Sequence, residues 1–128
     1  TNDGEAANRI IHPRFEIPKG YIVGIDKPFS GIDKTKLEKG ITLDGKKTLP
    51  VKIEILNSTT CGAKVSIEMR EGRKHQIKNM FAYFNLKVTF IKRISIANIK
   101  LGDLKEGEYR ILADSEVIGL KKYLGLIK

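Results

Sequence analysis

Arg70, Arg73, Lys74, His75, Gln76 and Lys78 crowd into one short stretch, Glu71-Gly72-Arg73-Lys74-His75-Gln76-Ile77-Lys78-Asn79-Met80 and the residue before it. Upstream, Ala63, Val65, Ile67 and Met69 alternate with Lys64, Ser66, Glu68 and Arg70, the period of a half-buried strand. At Gly72 the period changes to that of a helix, with Ile77, Met80, Phe81 and Phe84 on one stripe. The pattern predicts a strand ending at Arg70, a turn at Gly72 and a helix beginning near Arg73 or Lys74. A first helical turn has unpaired N–H groups and the positive end of the helix dipole. With Arg73, Lys74 and His75 added, such a turn is suited to phosphate oxygens. On the helical wheel Lys74 and Lys78 flank one side of the apolar stripe and Gln76 the other. Lys78 follows Ile77, so its stem is expected to be partly buried. Two readings fit: an ammonium that needs a carboxylate or phosphate partner, or a lysine that snorkels to water.

Other chemistries find little support. His12 and His75 are the only histidines, and no Ser or Cys sits in a nucleophile elbow. No glycine-rich phosphate loop is present. The single Cys61 excludes an internal disulfide and has no histidine at metal-ligand spacing. No metal and no cofactor is expected.

The charge distribution points the same way as the motif. Of the +9 net charge, +7 lies between Lys64 and Lys100, where nine bases face two acids. A basic middle on a neutral background suits a polyanion such as nucleic acid; a solvated basic face fits equally well. No apolar run approaches the roughly 20 residues that span a bilayer, and no leader sequence is apparent, so the expected location is the cytoplasm.

The elements that must position these residues are legible in outline. Residues 3–11 read as a helix with Ala6, Ile10 and Ile11 on one side. Residues 20–26 read as a strand with Tyr21, Val23 and Ile25 on one face, and 33–39 as a helix stopped by Gly40. Val51, Ile53 and Ile55 mark a further strand. Strand signals recur at 87–96 and 107–111, and a last helix is predicted over 115–124, capped by Asp114 and packed through Val117, Leu120 and Leu124. The 128 residues fit one domain, of α+β class, with a mainly antiparallel or mixed sheet and flanking helices.

The stretch Glu71 to Met80 resembles the third conserved motif of RsuA-type pseudouridine synthases, which act on ribosomal RNA. Val88-Thr89-Phe90-Ile91-Lys92-Arg93-Ile94 and Leu101-Gly102-Asp103-Leu104-Lys105-Glu106-Gly107-Glu108-Tyr109-Arg110 resemble the family's next two blocks. Thr1-Asn2-Asp3-Gly4-Glu5-Ala6-Ala7-Asn8-Arg9 with His12-Pro13-Arg14-Phe15 resembles its post-catalytic segment, and Lys19-Gly20-Tyr21-Ile22-Val23 its tyrosine motif. One such block would be weak; five in family order over almost the whole chain are specific. The resemblance implies a uridine-to-pseudouridine isomerase in which an aspartate attacks the target uridine and the uracil is detached, rotated and rejoined through carbon, with no cofactor or metal. It implies that Lys78 forms an ion pair with that aspartate, that Ile77 packs near the base, and that Tyr21 lies against the uracil, placed for proton transfer. Arg73, Lys74, His75 and Gln76 would build or line the RNA-facing motif, and Arg14 is a further candidate for RNA contact. Read as a sequence alone, Tyr21 fits an ordinary core strand residue as well.

The family's nucleophile belongs to a Gly-Arg-Leu-Asp type motif ahead of the segment matching Thr1-Asn2-Asp3. None of Asp3, Asp26, Asp33, Asp44, Asp103 or Asp114 lies in such a motif. The expectation is a partial catalytic domain, cut or processed from something longer, without the nucleophile motif and without the small RNA-binding domain that often precedes the catalytic one. Three expectations follow from that. The 128 residues alone do not make pseudouridine. An uncovered sheet edge pairs with a second copy. The alternative function is a non-catalytic RNA-binding module of a ribosome-associated protein.

Overall fold

A computed structural model of the chain describes residues 1–12, 15–72 and 75–127. Helix α1 (Gly4–Ile11) is followed by strand β1 (Lys19–Ile25), helix α2 (Gly31–Lys39), the short strands β2 (Thr42–Leu43) and β3 (Lys46–Lys47), and the long strands β4 (Lys52–Thr59) and β5 (Gly62–Met69). Helix α3 (Gln76–Tyr83), strands β6 (Val88–Ile96) and β7 (Ile99–Lys100), and helix α4 (Asp114–Tyr123) complete it. The main sheet runs β4-β5-β1-β6-β7, and every neighbouring pair is antiparallel. This is the expected α+β class. No helix is long and apolar enough to cross a membrane among the described residues.

The alternation read from the sequence places the main core. Val23 and Ile25 of β1, Val65, Ile67 and Met69 of β5, and Ile53 of β4 share one face of the sheet and are buried. Helix α3 closes that face with Ile77, Met80 and Phe81, the last two fully buried. Phe81 meets Phe29 edge-on at 5.5 Å, a geometry favoured by the ring quadrupoles. Helix α2 adds Leu37 to the same core. Ser30 starts it by accepting from the N–H of Asp33. Gly40 ends it at φ 99°, where an added Cβ would stand 2.5 Å from the Thr48 carbonyl oxygen.

A smaller core joins the two ends of the chain. Ala6 of α1, Ile17 and Leu124 are buried together, with Ile10, Ile96 and Leu120 against them. The Arg9 guanidinium donates to the Leu124 carbonyl at 2.7 Å, so a cation meets the negative end of α4. Ile10 and Ile11 lie about 100° apart on a helix and cannot both face that core. Ile10 does, and Ile11 is exposed, contrary to the single face expected of them.

Two further expectations are corrected. Residues 107–111 form no strand: the segment from 101 to 113 is irregular, with turns at 102–103 and 106–107, and Tyr109 and Ile111 are exposed. Among the described residues no strand pairs with this stretch. Its Arg110 turns aside to clasp Glu116 through two 2.8 Å hydrogen bonds. Helix α4 is not capped by Asp114, which is already helical. Ala113 is its N-cap, and Glu116 reaches back to accept from the Ala113 N–H at 2.9 Å. The β2–β3 hairpin was not anticipated, although Asp44-Gly45, both at positive φ, is a strong signal for a two-residue hairpin turn.

Candidate active-site cleft

One end of β1, the end of β5, the start of α3 and the middle of β6 enclose a cleft of about 260 Å³. It is lined by Tyr21, Met69, Glu71, Gly72, His75, Gln76, Ile77, Lys78, Ile91 and Arg93. Five residues singled out from the sequence are therefore brought together: Tyr21 from β1 and His75, Gln76, Ile77 and Lys78 from the α3 start. Arg14, Arg73 and Lys74 lie outside the described residues.

The floor is apolar. Met69 and Ile77 are buried and continue the main core to the surface, and Ile91, opposite Val23 in the sheet, is partly open. Tyr21 is half-buried with its ring against that core. It is a partly buried strand residue that lines the cleft. Its hydroxyl oxygen accepts a hydrogen bond from Arg93 Nη2 at 3.2 Å, and the guanidinium carbon lies 5.4 Å from the ring centroid. Arg93 is the cation of the cleft that the sequence reading did not count among its site residues; Met69, Glu71, Gly72 and Ile91 were not counted either. The available signal was Lys92-Arg93 inside a strand, which necessarily sends one cation to each face of the sheet.

The helix start differs from expectation. Helix α3 begins at Gln76, with His75 as N-cap in the left-handed region (φ 54°, ψ 27°) and no side-chain cap. Lys78 consequently stands in the first turn. It is exposed rather than stem-buried, because the buried face of α3 is made by Gln76, Ile77, Met80 and Phe81 and Lys78 falls outside that arc. Among the described residues its ammonium has no ion-pair or hydrogen-bond partner. Gln76 is the buried one, 4% exposed. Its amide donates to Glu71 Oε1 at 2.8 Å, and the same oxygen accepts from the Leu49 N–H at 2.7 Å. Gln76 and Glu71 thereby fix the loop between β5 and α3 against the chain that enters β4. At the same end of β1, two positions before Tyr21, the pKa of Lys19 is lowered, first by burial and then by the charge of Arg93.

The arrangement offers an apolar floor, an aromatic edge and two cations. A planar, uncharged ring on a strand of negative charge would find there a surface to lie on and groups for the adjoining anions. The cleft's carboxylate among the described residues is Glu71, which is already engaged in the loop.

Residues 1–83 match the family model for RNA pseudouridylate synthase. The chain is 38% identical over 126 residues to an RNA pseudouridine synthase of Aquifex aeolicus (strain VF5), covering 98% of this chain and 51% of that protein. It is 38% identical over 125 residues to ribosomal small subunit pseudouridine synthase A of Haemophilus influenzae, covering 95% and 52%. It is 35% identical over 127 residues to ribosomal large subunit pseudouridine synthase B of Bacillus subtilis (strain 168), covering 94% and 50%. A crystal structure of a pseudouridylate synthase superposes with a TM-score of 0.84 at 36% identity, over 94% of this chain and 52% of that one. The chain spans about half the length of the curated relatives it matches.

Proposed function

The chain belongs to the RNA pseudouridylate synthase family, and on that premise we propose that the protein it builds isomerises a uridine of ribosomal RNA to pseudouridine. The observation that carries this is the cleft itself, where Tyr21, Ile77 and Lys78 line one space although they come from distant parts of the chain. In this reading the target uridine is turned out of its stack, because the glycosidic bond of a stacked base is hard to reach. The uracil lies on Ile77, Met69 and Ile91, with the Tyr21 ring beside it. Lys78 pairs with the nucleophilic aspartate of the family, holding that carboxylate ionised and ready to attack. His75, with Arg73, Lys74 and Arg14, contacts RNA around the base. Gln76 acts differently: buried, with its amide on Glu71, it ties Glu71 and Leu49 together instead of facing RNA.

Relatives named for the small and the large ribosomal subunit match this chain at similar identity. The choice between those targets therefore rests on features other than the residues they share with it.

The test is pseudouridine formation on an unmodified ribosomal RNA transcript, read by mass spectrometry of the digested RNA. The intact protein is expected to form pseudouridine, and its Lys78→Met variant to form none while melting at the wild-type temperature. Wild-type turnover by that variant removes Lys78 from the catalytic set. RNA binding by the intact protein without conversion of any uridine overturns the enzyme reading in favour of a binding module. The 128-residue chain alone is expected to form no pseudouridine, because no aspartate lines its cleft among the described residues.

A further inference from the structure

We propose that Arg93 is a positioning residue for Tyr21, aimed there by a β-bulge in β6. This deepens the reading above and rests on Tyr21 acting at the base.

The register of the sheet carries the argument. Gly20 pairs with Ser95, so regular antiparallel pairing would set Ile94 opposite Tyr21. Instead Tyr21 pairs with Arg93, and the register shifts between Gly20 and Tyr21. The extra residue is a bulge, a device that re-aims a side chain at the cost of a ladder hydrogen bond. Without it Ile94 would share the sheet face of Tyr21, and Arg93 would point to the opposite one, because neighbouring side chains alternate. The bulge thus exchanges an apolar neighbour of Tyr21 for a cation.

Arg93 then does two things to the tyrosine. Its guanidinium lies 5.4 Å from the ring centroid, near enough to attract the ring face. Its Nη2–H donates to the phenol oxygen at 3.2 Å. Arginine has no acceptor, so the phenol's own hydrogen must turn away from it. The hydroxyl is left as a donor with a fixed direction, and its ring is held at the edge of the cleft that both residues line.

An arginine at this place could instead grip an RNA phosphate, and a double-mutant cycle in the intact protein separates the two. Arg93→Met is expected to lower kcat about tenfold, the equivalent of one hydrogen bond, with KM nearly unchanged. Arg93→Lys is expected to recover part of that loss. In a Tyr21→Phe background, Arg93→Met is expected to add no further loss, since the group it positions is gone. A second readout needs no activity: the Tyr21 ring-carbon NMR signal next to the hydroxyl is expected to shift in Arg93→Met, and also in Arg93→Lys should the methionine variant not fold. Additive losses in the double variant, a loss confined to KM that deepens with salt, or an unmoved Tyr21 signal would each overturn the proposal. Absence of pseudouridine from the wild type would overturn the enzyme reading alone, and the Tyr21 signal would still decide whether Arg93 holds the ring.

Discussion

Gln76 and Lys78, two positions apart, have opposite surroundings. Gln76 is buried with its amide on Glu71, whereas Lys78 stands in the cleft mouth. Burying a polar side chain is tolerated only when its hydrogen bonds are met, and losing one partner exposes the desolvation cost of the other. Gln76→Ala is therefore expected to destabilise the fold by about 1–3 kcal/mol, read as a lowered denaturation midpoint. Lys78→Ala is expected to leave that midpoint within about 0.5 kcal/mol, as for other exposed positions free of structural contacts. Equal losses for the two would mean that the loop is not held by Gln76 and Glu71. This contrast is the reverse of the sequence reading, which expected a partly buried Lys78 stem and an RNA-facing Gln76. It depends on where α3 begins, and the wheel alone cannot supply that.

Helix ends carry two predictions at the scale of elements. Gly40 stops α2 at φ 99° and ψ 143°, a conformation close to glycine's own territory, and a Cβ there would crowd the Thr48 carbonyl. Gly40→Ala is expected to cost about 1–3 kcal/mol in backbone strain, measured by chemical denaturation; a neutral result would show that the turn relaxes freely. The second concerns α4. The Arg110 guanidinium, with the Ala113 N–H, holds the Glu116 carboxyl at a pKa of about 2, below its usual 4.5. A carboxylate depressed in the folded state stabilises it fully above its unfolded pKa, and that contribution fades as pH falls through the folded value. Helix α4 is thus expected to keep its clasp through mild acid and to lose it only near pH 2. NMR titration of the Glu116 carboxyl carbon checks this. A midpoint near 4.5, or one unmoved by Arg110→Ala, would count against the clasp. The last helix was legible in the sequence, but its cap was not. Asp114 has the right residue type for an N-cap, whereas Glu116 wins through its contact with Arg110, on an irregular segment read as a strand.

At the scale of the whole molecule, charge and edges matter most. A basic segment that neutralises about three phosphates would lose about 20- to 40-fold in RNA affinity between about 50 and about 200 mM salt. That slope is expected for an unmodified ribosomal RNA fragment, read by filter binding or fluorescence anisotropy. A flat response would leave the +7 segment as a solvated face. Self-pairing through a sheet edge is a separate proposal. The β4 edge is partly occupied by α2, whose Glu38 carboxylate accepts from the Ile53 N–H at 3.3 Å and whose carbonyl accepts from Val51. On the other side β7 covers β6 only at Ser95 and Ile96, so the outer edge of β6 from Val88 to Arg93 is the place where a second copy would pair. Light scattering at rising concentration is expected to show mass doubling if it does; a constant monomer mass would overturn it.

What the sequence determined by itself was local and periodic. Alternation at 63–70 and at 20–26 sets which side chains enter the core, because a strand offers only two faces. The helical stripe from Ile77 to Phe84 does the same for α3. Ordered motifs were enough to mark the family. What only the tertiary structure decided was anything that depends on register between distant strands. Arg93 meets Tyr21 because β6 gains one residue against β1. Arg9 caps α4 because the first and last helices share a small core. Tyr109 and Ile111 stay exposed because no described strand comes to pair with them. Pairing over such distances is fixed by the packing of the whole sheet, and a short-range pattern carries no record of it.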